Sequence, residues 1–81
     1  MNHLSNILVR MDYEALAHEA EDAAKRHEET AEMLLRNVDT LSPQTQKLHL
    51  SLASLERSHA AQCRQSAAEY WGMAFLRKRS A

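Results

Sequence analysis

One proline interrupts this 81-residue chain, in the stretch Leu41-Ser42-Pro43, and the only glycine is Gly72. A chain with so few breakers cannot make the repeated turns of an all-β fold or of a series of βα units. It is left with long helices and one sharp reversal. Ser42 suits the N-cap, because its hydroxyl accepts a free N–H of the next turn. Pro43 suits the first helical position, where its missing N–H costs nothing. Upstream, no glycine or proline occurs from about residue 12 to 38, and Asn37, Asp39 and Thr40 are weak helix formers that close the segment. The expected organisation is one domain over 1–81, with a helix at about 12–38, a turn at 39–42, a helix at about 43–76 and a frayed basic tail at 77–81. Residues 2–11 carry their own stripe (Leu4, Ile7, Leu8, Met11). They form either a separate short helix or a continuation of the first, and Asp12 is available as a cap.

Apolar spacing refines this into an all-α, coiled-coil-like hairpin. In the first long segment Ala17, Ala20, Ala24, His27, Ala31, Leu34, Val38 and Leu41 alternate steps of three and four, the pattern of a helix–helix seam. In the second, Leu48, Leu52, Leu55, His59, Cys63, Ala67, Tyr70 and Ala74 form the expected seam, with Ala53, Ala60, Ala67 and Ala74 as a strictly seven-spaced flank. A five-residue connection predicts an antiparallel pair. Charge agrees: residues 12–41 hold nine acids and three bases, whereas residues 42–81 hold two acids and six bases. A turn centred near Leu41 sets Leu34 beside Leu48, His27 beside Leu55 and Tyr13 beside Tyr70.

Alanine supplies 13 of the residues and buries little surface, and chains this short bury only about 60% of their unfolded surface. Such a hairpin needs a partner or a second copy to complete its core. The net charge of −1 argues against a nucleic-acid binder. No apolar run exceeds four residues, Met73 to Leu76, so no membrane-spanning segment is expected. No secretory leader is visible, and a single cysteine, Cys63, suits a reducing compartment.

Five histidines raise the question of metal. His59 and Cys63 are spaced i, i+4, but only the distant His27 is available to join them, short of the four ligands of a structural site. The plainer reading makes His27 and His59 half-buried seam residues with a polar partner. No metal ligand, cofactor-binding residue or catalytic residue is assigned. Cys63 has a neighbouring base in His59 but no cleft for a substrate. Trp71 and Phe75 lie on a second apolar face, as interface anchors do, or pack on residues 4–11 of the same chain.

The stretch Leu4-Ser5-Asn6-Ile7-Leu8-Val9-Arg10, the acidic alanine-rich helix, the turn Leu41-Ser42-Pro43-Gln44-Thr45-Gln46, the run Leu48–Leu55 and the pair Tyr70-Trp71 together resemble the small α-hairpin co-chaperones of bacterial type III secretion systems. The resemblance implies a cytoplasmic, non-enzymatic virulence-associated protein, at most membrane-peripheral near the secretion apparatus. It implies pairing with a helical-repeat chaperone to keep a needle or other exported subunit soluble. Candidate partner-binding residues are Leu4, Ile7, Leu8, Met11, Tyr70, Trp71 and Phe75. Alone, such a chain is expected as a homodimer or higher oligomer. The alternative is a self-assembling helical protein, including the needle subunit itself, although needle turns carry two prolines and this chain has only Pro43.

Overall fold

The computed structural model describes residues 12–80. Helix α1 spans Tyr13–Leu35, a 3-10 turn spans Val38–Thr40, and helix α2 spans Pro43–Ser80. The two helices fold back on each other as an antiparallel hairpin. Residues 2–11, and with them the question of a separate N-terminal helix, lie outside the described residues.

Local chemistry accounts for each boundary. Asp12 has extended backbone and caps α1, its carboxylate accepting from Ala15 N–H at 3.1 Å. The first helix ends at Leu35, before the expected residue 38. Arg36 turns out of the helix while its N–H still closes the last turn onto Glu32 and Met33 carbonyls. Asn37 then takes a left-handed conformation with φ 57°, which asparagine tolerates better than most residues. At the start of α2, Ser42 Oγ accepts from Thr45 N–H at 3.3 Å, and the Gln46 amide donates back to Val38 O at 3.1 Å.

The expected frayed tail at 77–81 is corrected as far as residue 80: α2 runs unbroken through Gly72 to Ser80. Its last turns are held from both sides. Lys78 Nζ reaches Glu14 at 2.5 Å, Arg77 lies over the Tyr13 ring, and Ser80 Oγ donates to Leu76 O. Three basic residues also suit the negative end of the helix dipole.

Among the described residues seven are buried, and all are alanine: Ala17, Ala24 and Ala31 on α1, and Ala53, Ala60, Ala67 and Ala74 on α2. Each set repeats every seven residues. Cross-helix contacts such as Tyr13–Tyr70 and Glu14–Lys78 bracket the register, so each α1 alanine falls between two on α2. The expected seam of α1 therefore stands; that of α2 stands at Ala67 and Ala74, with His59, Cys63 and Tyr70 half-buried beside them, and is corrected at Leu48, Leu52 and Leu55. Its alanine flank is the core, and Leu48, Leu52 and Leu55 face out. The reason is depth. Paired methyl groups let the two backbones approach to about 8 Å, the near end of the usual interaxial range, and leucine in the same positions would hold them apart.

The molecule measures 60 × 24 × 13 Å. The shortest dimension is close to the diameter of one helix, about 10–12 Å. Two helices thus form a single layer, and every side chain off the alanine line lies at a surface. No described helix is long and apolar enough to cross a membrane.

Candidate functional site

Two rows of side chains flank the alanine line, and both repeat with it. Along one flank α1 presents Glu14, Glu21 and Glu28, and α2 answers with Lys78, Trp71 and Arg64. Trp71 Nε1–H donates to Glu21 at 2.6 Å, and Arg64 Nε–H donates to Glu28 at 3.0 Å with a second contact from the same guanidinium. Every acceptor belongs to the acidic helix and every donor to the basic one. The charge imbalance seen in the sequence thus becomes an ordered ladder that selects one antiparallel register. Each rung is exposed, so each contributes little on its own.

The opposite flank is mixed. At the open end the Tyr13 and Tyr70 rings stack with centroids 6.4 Å apart. Near the turn, His49 Nδ1 lies 2.9 Å from Leu34 O and so donates to a carbonyl that the end of α1 leaves without a helical partner. Between them His27, on α1, meets Glu56 and His59, on α2. His27 Nδ1 lies 2.5 Å from Glu56 Oε2, and the two imidazoles meet edge to face at 5.3 Å. One ligand atom from each of the three residues lies within 4.8 Å of the others. Sequence reasoning placed His59 with Cys63, but Cys63 is outside this set. Glu56 went unnoticed because its partner is 29 residues away. Its i, i+3 spacing to His59 was the available signal.

The candidate partner-binding residues fall into three situations. Leu4, Ile7, Leu8 and Met11 lie outside the described residues. Tyr70 is half-buried against Tyr13. Trp71 is 37% exposed, with its indole N–H on Glu21 and its ring against His18 at 5.0 Å, whereas Phe75 is 59% exposed beneath the Arg79 guanidinium.

A further exposed apolar stripe was not among those candidates. Leu48, Leu52 and Leu55 step by four and three along α2 and form an outward stripe near the turn, 39–56% exposed. Met73, Phe75 and Leu76 form a second exposed group at the other end. Between the ends, an open groove on the tyrosine flank is lined by Leu16, Ala20, Ala23, Cys63, Ser66 and Tyr70. Cys63 is half-buried there as a free thiol.

No family model, curated protein or solved structure matches this chain.

Proposed function

We propose that this chain is a non-enzymatic protein-binding module, and specifically a co-chaperone of a type III secretion system. It pairs with a helical-repeat chaperone and keeps a needle or other exported subunit soluble in the bacterial cytoplasm before export. The observation that carries the reading is the leucine stripe. A single-layer hairpin has spent its alanines on self-packing and leaves Leu48, Leu52 and Leu55 facing solvent. Full burial of a leucine from full exposure contributes about 1.5–3 kcal/mol, and these three, 39–56% exposed, have roughly half of that left to gain against a partner. An amphipathic helix laid into a helical groove is an established way of capturing such a stripe.

The open end supplies further anchors in this reading: Trp71, Phe75 and Tyr70, with Leu4, Ile7, Leu8 and Met11 from the N-terminal stripe. Self-assembly through the leucine stripe, as a homodimer, stores the apolar surface when no partner is present.

The test is co-expression of the full chain with the helical-repeat chaperone and the needle-type subunit of the same genome, followed by gel filtration with light scattering. A stoichiometric complex is expected. Leu48→Glu, Leu52→Glu and Leu55→Glu together should release the partner while circular dichroism still shows a folded hairpin. A folded chain that binds neither protein overturns the reading. Open-ended polymerisation of the chain alone overturns it in favour of a self-assembling subunit.

A further inference from the structure

We propose that His27, Glu56 and His59 bind one late first-row divalent metal ion, with Zn2+ as the reference ion, and that this ion clips α1 to α2. Two imidazoles and one carboxylate form a borderline donor set, suited to Zn2+, Ni2+ or Cu2+ rather than to Mg2+ or Ca2+, which prefer oxygen.

Geometry carries the case. Around a tetrahedral zinc with bonds of about 2.0–2.1 Å the ligand atoms sit about 3.3 Å apart. Here the three lie within 4.8 Å of one another, so a closing of about 1.5 Å brings them to that spacing. Glu56 and His59 are i, i+3 on α2 and project from one face. The same Glu-x-x-His spacing supplies ligands inside metal-binding helical bundles. His27 arrives from the facing helix and is already held against Glu56 at 2.5 Å.

The backbone beneath the site is buried in the helix–helix contact. His27 lies between Ala24 and Ala31, and Glu56 lies between Ala53 and Ala60, four of the seven buried alanines. The site therefore sits over a buried stretch of the helix–helix contact, the kind of support a preorganised site needs. All three residues are half-buried, with side chains of His27 and Glu56 34% and 25% exposed. An ion can enter from solvent, and the fourth position is open to water. Of the other described histidines, neither His18 nor His49 belongs to this set.

Because the ligands come from both helices, binding favours the folded hairpin over the open chain by mass action. The test uses the full chain, stripped of metal and titrated with Zn2+ and separately with Mg2+. Calorimetry should show one Zn2+ site per chain. Thermal melts should rise with Zn2+, return on chelation and stay unchanged with Mg2+. His27→Asn, His59→Asn and Glu56→Gln should each weaken binding at least tenfold, the scale on which even supporting residues of metal sites matter. His49→Asn should not. As a readout that needs no variant, imidazole resonances of His27 and His59 should shift together on zinc addition. A wild-type Kd weaker than about 1 mM overturns the proposal. So does zinc binding that persists in the His27→Asn/His59→Asn double variant, or a zinc-induced shift confined to other histidines.

Discussion

The Trp71 indole N–H donates to Glu21 at 2.6 Å, and the same ring meets the His18 imidazole edge-on at 5.0 Å. Trp71 is the only tryptophan in the chain, so its fluorescence reports on this one cross-helix rung. Glu21→Ala should leave helix content unchanged and cost less than about 1 kcal/mol, as exposed charge-assisted contacts do. It should also raise the sensitivity of the emission to acrylamide. Emission and quenching identical to those of the parent protein would show that the rung does not form in solution.

The alanine line makes a sharper prediction, because it rests on volume. Ala60 is buried between the helices and Ala61, its neighbour, is exposed. Ala60→Leu should destabilise the hairpin by about 1–3 kcal/mol through overpacking. Ala61→Leu should change stability by no more than about 0.5 kcal/mol. Chemical denaturation of the two variants separates these outcomes. Equal stabilities would mean that the seam runs elsewhere, for instance along the leucines.

That pair of positions also shows how far the sequence was legible. Breaker scarcity and the Ser42-Pro43 cap identify an all-α hairpin, because both act locally. Spacing identifies the α1 stripe, where Ala17, Ala20, Ala24 and Ala31 recur at steps of three, four and seven with no competing row of larger apolar residues. On α2 two stripes compete, and preference for the larger residues selects Leu48, Leu52 and Leu55. The structure selects Ala53, Ala60, Ala67 and Ala74 instead, because the partner stripe is itself alanine and only matched small residues let the backbones approach. A turn centred near Leu41 pairs Tyr13 with Tyr70 as observed. It sets His27 beside Leu55, whereas the structure sets it beside Glu56. One residue along a helix is about 100° of rotation, enough to exchange a leucine for a carboxylate. The histidine cluster was hidden by that single step.

Gly72 sits inside α2, and a Cβ built on it meets nothing within 4 Å. Glycine in a helix interior is about 1 kcal/mol less favourable than alanine. Gly72→Ala should therefore stabilise the hairpin by roughly that amount, or about 4–8 °C in Tm for a domain of this size. At Asn37, with φ 57°, the sign reverses: Asn37→Ala should cost about 1–2 kcal/mol of backbone strain, and Asn37→Gly should be close to neutral. Thermal melts of the three variants check both statements. A destabilising Gly72→Ala would mean that a partner's backbone approaches α2 at that point.

Lys78 and Glu14 close the open end of the hairpin at 2.5 Å. The Lys78 pKa is raised from its ordinary 10.5, first by the hydrogen bond to Glu14 and then by the charge of that carboxylate. A raised amine pKa means that the folded state holds the proton more tightly than the unfolded chain. The contribution is then fully present below the unfolded value and is lost as pH rises through the folded one. Lys78 should therefore add no pH dependence between pH 6 and 9, and its effect should fade only above about pH 10.4. The ammonium is fully exposed, so the contact should also weaken as salt approaches 1 M, where the screening length falls to about 3 Å. Lys78→Gln should accelerate amide hydrogen exchange in the last turns of α2 at low salt, with the amides around Ala53 and Ala60 unchanged. The difference between variant and parent should vanish at high salt. Exchange in those turns that is insensitive to both the substitution and salt would show that helix capping, rather than the ion pair, holds residues 77–80 in α2.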